Sequence, residues 1–203
     1  SFSFASSLVY IINDINDAPK DRLHPIKKNR PIASGAVSIS KAIILAVMVS
    51  ATVLVCHFLA VRSMNLPALI VLLTYIVMNF LYSIKLKNKP IIDITILALG
   101  FLLRLLYGSM ITGIQASVWL YLTVIMFSFY MGLGKRRNEF SKTNDSSTRK
   151  VLEHYSYNFL DKNMYMCMSL TLMFYSLWTV DAATVARVGS TNLIWTVPIV
   201  IVI

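Results

Sequence analysis

Apolar residues fall into long blocks broken by short polar stretches, at roughly 39–61, 66–84, 91–114, 117–134 and 163–181. A helix needs about 20 mostly apolar residues to cross the hydrocarbon core of a bilayer, and these blocks reach or approach that length. A further run from Ser1 to about Ile12 reads as the tail of a span, and a partial span starts at Leu193. The expected fold is therefore all-α, a polytopic membrane helical bundle. Ser1 stands where an initiator Met would, and the chain closes inside the apolar stretch from Trp195 to Ile203. This reads as a fragment, truncated at both ends, of a single integral-membrane domain covering 1–203.

Charge sets the orientation, because short cytoplasmic loops retain Lys and Arg while translocated loops shed them. Lys20, Arg22, Lys27, Lys28, Arg30 and Lys41 follow the first run, and Lys85, Lys87 and Lys89 follow the third. Lys135, Arg136, Arg137, Lys142, Arg149, Lys150 and Lys162 follow the fifth. Sixteen of the 19 basic residues thus share one side, against Arg62 and Arg187 on the other and Arg104 within a span. That side is assigned to the cytoplasm, and the chain to the inner membrane. Composition agrees, with 57% hydrophobic and 14% charged residues against about 25% charged in soluble domains. The net charge of +10 is not a nucleic-acid footprint, since the bases lie in membrane-adjacent loops without interleaved aromatic platforms. Cys56 and Cys167 lie inside apolar runs and read as small buried side chains.

The densest chemistry follows the first run. At 100° per residue, Asn13, Asp14, Asp17 and Asp21 fall within one arc of about 100° on a helix. Pro19 is expected to end or kink that helix, so that Asp21 reaches the site from a loop. Three carboxylates beside a hydrophobic span repel one another and require a countercharge. A divalent cation supplies it, and Mg²⁺ suits the cluster because it takes one or two carboxylates and leaves its other positions to water and phosphate. The structural alternative is a web of ion pairs with Lys20, Arg22 and Lys27. Lys20, Arg22, Lys27, Lys28 and Arg30 are then candidates to hold a phosphorylated ligand, with Pro25 and Pro31 restricting the loop between them. His24 reads as a hydrogen-bonding loop residue rather than a general base.

The run Asn13-Asp14-x-x-Asp17-x-x-x-Asp21, with Arg22-x-His24-Pro25 and Arg30-Pro31-Ile32-Ala33-Ser34-Gly35, resembles the first motif of the UbiA-type intramembrane prenyltransferase superfamily. Tyr82-Ser83-x-Lys85-x-Lys87, Asp93, Arg104 and Gly134-Lys135-Arg136-x-x-Glu139 are most similar to its decaprenyl-phosphate phosphoribosyltransferase branch. The resemblance implies a helical bundle of about nine spans, of which this chain holds about six. It also implies a cytoplasmic polar cavity in which Mg²⁺ carries a diphosphate substrate. The donor would be phosphoribosyl diphosphate and the acceptor a polyprenyl phosphate, with Asp14, Asp17 and Asp21 catalytic and, with Asn13, holding the metal. Tyr82, Lys85, Lys87, Asp93, Arg104, Lys135, Arg136 and Glu139 would contribute to substrate binding. One departure stands out. Prenyl-diphosphate users commonly carry a second Asp pair four apart on a later span, whereas Asp93 is followed by Leu97. Lys85, Lys87 and Lys89 stand in its place and could hold a second phosphate, which favours phosphoribosyl transfer over prenylation of an aromatic acceptor.

Asp93, Gly100, Arg104 and Gly108 return to within about 60° of one another on a helix. An Arg at mid-span costs roughly 2.5–3.5 kcal/mol on insertion scales, so Arg104 is expected to face the bundle interior and have a partner. The glycines would admit a neighbouring helix. Tyr75, Asn79 and Tyr82 recur at helical spacing, and Tyr75 reads as packing. Gly132-Leu133-Gly134-Lys135 is not a phosphate loop, because the upstream Gly and the following Ser or Thr are absent. Glu153-His154 is no metal motif. A transporter of phosphorylated solutes is the rival class, but its inverted repeats and paired broken helices are not found.

Overall fold

The computed structural model describes residues 1–60, 65–141, 152 and 154–202, with the side chains of 141, 201 and 202 left aside. Arg62, Lys142, Arg149, Lys150 and Glu153 lie outside the described residues. The described residues are helical and contain no strand. The α-helices are α1 (Phe2–Asp21), α2 (Ile39–Ala60), α3 (Leu66–Ile84), α4 (Ile92–Thr112), α5 (Val118–Ser141), α6 (Tyr157–Val180), α7 (Ala182–Val188) and α8 (Thr196–Val202). They form two compact units, Ser1–Lys87 and Asn88–Ile203.

In the first unit α1 packs on α2 and α3. Its buried residues include Ala5, Leu8, Val9 and Ala18, small or branched side chains spaced to recur on a helical face. Phe2 meets Tyr75 of α3 with ring centroids 4.4 Å apart, and the Tyr75 hydroxyl donates to Ser6 Oγ at 3.2 Å. Tyr75 therefore packs and bonds between helices. Asn65 caps α3 by accepting from the Ala68 N–H at 3.1 Å, and Pro67 occupies the first turn, where a missing N–H costs nothing.

Contrary to the expectation from Pro19, α1 runs unbroken to Asp21. The proline removes one hydrogen bond, to the carbonyl of Ile15, two residues before the helix ends. The Arg22 N–H closes the turn beyond it by donating to the Ala18 carbonyl at 3.1 Å. Burial of Ala18 against Ile32 and Ala42 holds this end in place.

In the second unit α5 packs along α6 and α4 along α5. The core consists of Ile94, Leu133, Leu152, Tyr155, Leu160 and Cys167. The close helix approach comes at Gly132, where a Cβ would lie 2.6 Å from Ile94 Cγ2. At Gly108 a Cβ would meet nothing within 4 Å, so the close approach expected there is found on α5 instead. Gly113, at φ +70°, ends α4 in the left-handed region that side chains avoid. Ser156 and Asp181 cap α6 and α7 through the N–H groups of Phe159 and Thr184.

Helices α2, α3, α4 and α5 are long and apolar enough to cross a membrane. Helix α6, also expected to span over 163–181, has the length, but Asn163 and its many Ser, Thr and Tyr residues dilute its apolar character. On α2 the side chains of Ile43, Ile44, Val47, Met48, Leu54 and Val55 are all exposed. Such a surface is unfavourable in water and suits the hydrocarbon of a bilayer, and with four helices of spanning length the chain is an integral membrane protein.

Candidate functional site

The site in the first unit is built at the C-terminal end of α1. Beyond it the chain folds back, with Ile32 and Ala33 buried and the Ser34 N–H donating to the Arg30 carbonyl at 2.8 Å. Gly35, at φ +85°, completes the reversal in a conformation a side chain would strain. This turn aims Arg30 at α1. Its Nη1 donates to Asp14 Oδ1 at 3.0 Å and to Asp21 Oδ2 at 2.8 Å, so one guanidinium nitrogen joins carboxylates two turns apart. Lys87, just past α3, donates from Nζ to Asp17 Oδ1 at 2.7 Å. The loop after α1 and the turn after α3 thus meet at one end of the unit, as the charge pattern requires of two loops on one side.

Asn13 Oδ1 lies one turn before Asp17, buried and without a hydrogen-bond donor. A buried acceptor left unmet costs about 1–3 kcal/mol, which marks this oxygen for a ligand or a bound cation. The donor set fits a hard divalent ion in kind, with three carboxylates and one amide oxygen. Among the described residues no group of three Asp, Glu, His or Cys side chains converges as a ready cage. The countercharge expected from a metal alone is supplied here by Arg30 and Lys87, rather than by Lys20, Arg22 and Lys27.

Arg22 instead ties the loop, donating from Nε to the Ala33 carbonyl at 3.3 Å. His24 Nδ1 accepts from the N–H groups of Ile26 and Lys27 at 3.2 and 3.3 Å, the structural loop role expected of it. Lys20, Lys28 and Lys85 are exposed, while Lys27 and Tyr82 are half-buried.

The second unit holds a different kind of cluster. Asp93, in the first turn of α4, is fully buried. Its Oδ2 accepts from Arg136 Nε at 2.5 Å and its Oδ1 from the Tyr155 hydroxyl at 2.9 Å. Arg136 is also fully buried and donates from Nη1 to Glu139 Oε2 at 2.6 Å. The Tyr155 oxygen accepts from the Ile91 N–H at 2.6 Å. Ile91 has φ +65°, a costly conformation for a β-branched residue, and this bond holds it there. Burial, reinforced by the Asp93 carboxylate, pushes the Tyr155 phenol up to about 12.

Asp93 and Arg136, expected to touch substrate, therefore serve to join α4, α5 and the segment before α6. Neither offers surface to a ligand. Arg104 is exposed on α4 within this unit, while Asp93 on the same helix is buried. Lys135 is exposed and Glu139 part-exposed. Tyr155 and the Arg137–Asp161 ion pair went unread in the sequence. Tyr155 lies 62 residues from Asp93, and no local pattern marks so distant a partner.

A polytopic helical membrane protein with an acid-and-base cluster at one end of its helices is the class these features define. Over residues 1–203 the chain matches the UbiA prenyltransferase family, and it belongs to that family. It is 34% identical over 182 residues to the decaprenyl-phosphate phosphoribosyltransferase of Corynebacterium glutamicum, covering 89% of this chain and 54% of that protein. It is 31% identical to the enzyme of the same name from Mycobacterium tuberculosis, covering 89% and 59%. The chain thus spans somewhat more than half the length of these curated relatives. A UbiA homolog from Archaeoglobus fulgidus, solved bound to DMAPP and Mg²⁺, shares the fold with a TM-score of 0.74 at 18% identity, covering 97% of this chain and 70% of that one.

Proposed function

We propose that the chain is the larger part of a transferase that moves a 5-phosphoribosyl group from phosphoribosyl diphosphate to a polyprenyl phosphate, releasing diphosphate. The observation that carries this reading is one unbroken helix bearing Asn13, Asp14, Asp17 and Asp21, met by Arg30 and Lys87. Likeness to decaprenyl-phosphate phosphoribosyltransferases over 89% of the chain supports the phosphoribosyl branch. The site faces the cytoplasm of the inner membrane, in keeping with the sixteen basic residues on that side.

Asn13, Asp14, Asp17 and Asp21 would hold Mg²⁺, which when bound neutralises the diphosphate and stabilises its departure. Arg30 and Lys87 are within reach of the same carboxylates and would pair with phosphate oxygens. In the reaction the bond from the anomeric carbon to diphosphate breaks, and a bond from an acceptor phosphate oxygen to that carbon forms. The acceptor is already anionic at neutral pH, so no general base is needed. Positioning and electrostatic stabilisation carry the catalysis. Apolar helix faces would hold the polyprenyl tail.

A competition assay with the full-length protein tests the assignment. Labelled phosphoribosyl diphosphate with polyprenyl phosphate, and labelled prenyl diphosphate with an aromatic acceptor, are offered together with Mg²⁺. Label in a lipid-linked phosphoribose is the expected result. Label only in a prenylated aromatic would move the protein to the other branch of its family.

A further inference from the structure

Arg30 and Lys87 occupy the carboxylates that the proposed function assigns to a metal. We infer that these two cations are exchangeable counterions, which keep the site closed to a bare divalent ion and release the carboxylates only when metal and diphosphate arrive together. This inference rests on the metal-site reading of Asn13, Asp14, Asp17 and Asp21.

The charges within the unit carry it. Against three carboxylates, Asp14, Asp17 and Asp21, the end of α1, the loop after it and the turn after α3 carry seven cations, Lys20, Arg22, Lys27, Lys28, Arg30, Lys85 and Lys87, of which Arg30 and Lys87 contact the acids. A lone divalent ion would add positive charge to a cluster already positive, and would strip Arg30 and Lys87 of their partners. An ion that brings a diphosphate carries net negative charge instead. The freed guanidinium and ammonium then find phosphate oxygens in place of the carboxylates they leave.

Geometry makes the exchange feasible. Lys87 and Asp17 are part-exposed, with side chains 16% and 30% accessible. Arg30 is more open, at 42%. Neither cation is locked behind packed side chains, so each can swing without unfolding the unit. Asn13 Oδ1, on the same helix, is a buried oxygen that neither cation meets.

The full-length protein in lipid nanodiscs is titrated with Mn²⁺, read by electron paramagnetic resonance, with and without inorganic diphosphate. Diphosphate is expected to tighten Mn²⁺ binding by roughly tenfold or more. Lys87→Gln should tighten diphosphate-free binding by up to about fivefold, the range set by losing one part-exposed ion pair, and Arg30→Gln, which loses two such contacts, by at least as much. Lys87→Arg keeps the charge and should behave as the parent. Equal affinity with and without diphosphate overturns the exchange, as does a Lys87→Arg variant that binds as tightly as Lys87→Gln. Mn²⁺ binding that survives Asp17→Asn undiminished, with or without diphosphate, would instead remove the metal-site reading, and the exchange with it.

Discussion

Arg136 donates from Nε to Asp93 Oδ2 at 2.5 Å, and neither side chain is exposed. The pair joins α5 to the first turn of α4, and Tyr155 closes the far side of the carboxylate. Two residues that the sequence offers for substrate binding are thereby joined to each other in the interior of the unit.

Removing one partner should be far worse than removing both. Asp93→Ala takes a fully buried carboxylate from the Arg136 guanidinium and leaves it the part-exposed Glu139, and breaking such a buried pair costs up to about 3–5 kcal/mol. Thermal unfolding in detergent should show a large fall for Asp93→Ala, and a smaller one for Asp93→Leu combined with Arg136→Met.

Tyr155 adds a pH dependence at the alkaline end. Its phenol is raised from 10.0 to about 12 in the folded chain, so the folded state holds its proton more firmly than the unfolded state. The stabilisation is whole below pH 10 and is lost as pH climbs from about 10 to about 12. Tyr155→Phe should lose stability at neutral pH by about 1–3 kcal/mol, from the unmet Asp93 oxygen and Ile91 N–H. The gap in melting temperature between parent and variant should then narrow above pH 10.

Gly132 tests the helix contact. Its added methyl would lie 2.6 Å from Ile94 Cγ2, so Gly132→Ala should destabilise by about 1–3 kcal/mol. Ile94→Ala in the same chain should recover part of that loss. Gly108→Ala, into open space on a helix, should be neutral or slightly stabilising. Melting temperatures of the three variants decide the matter.

The helices were legible because their apolar length is dictated by the membrane itself. The acid face of α1 was legible because its spacing is local and follows the helical repeat. Pro19 misled, since a rule about helix interiors weakens near a helix end, where little remains to break. Asp93 and Arg136 misled for another reason. Residue type and span position cannot say whether a charge turns toward a ligand or toward a partner 43 residues away. Lys87 as the partner of Asp17 was equally invisible, for it depends on how α3 packs against α1.

The account depends most on Asp17. Full-length protein in nanodiscs, supplied with Mg²⁺, polyprenyl phosphate and labelled phosphoribosyl diphosphate, should form a lipid-linked phosphoribosyl product. Asp17→Asn, nearly isosteric and partly exposed, should fold as the parent does yet lose on the order of a hundredfold or more in turnover. Turnover by Asp17→Asn at the parent rate would contradict the account.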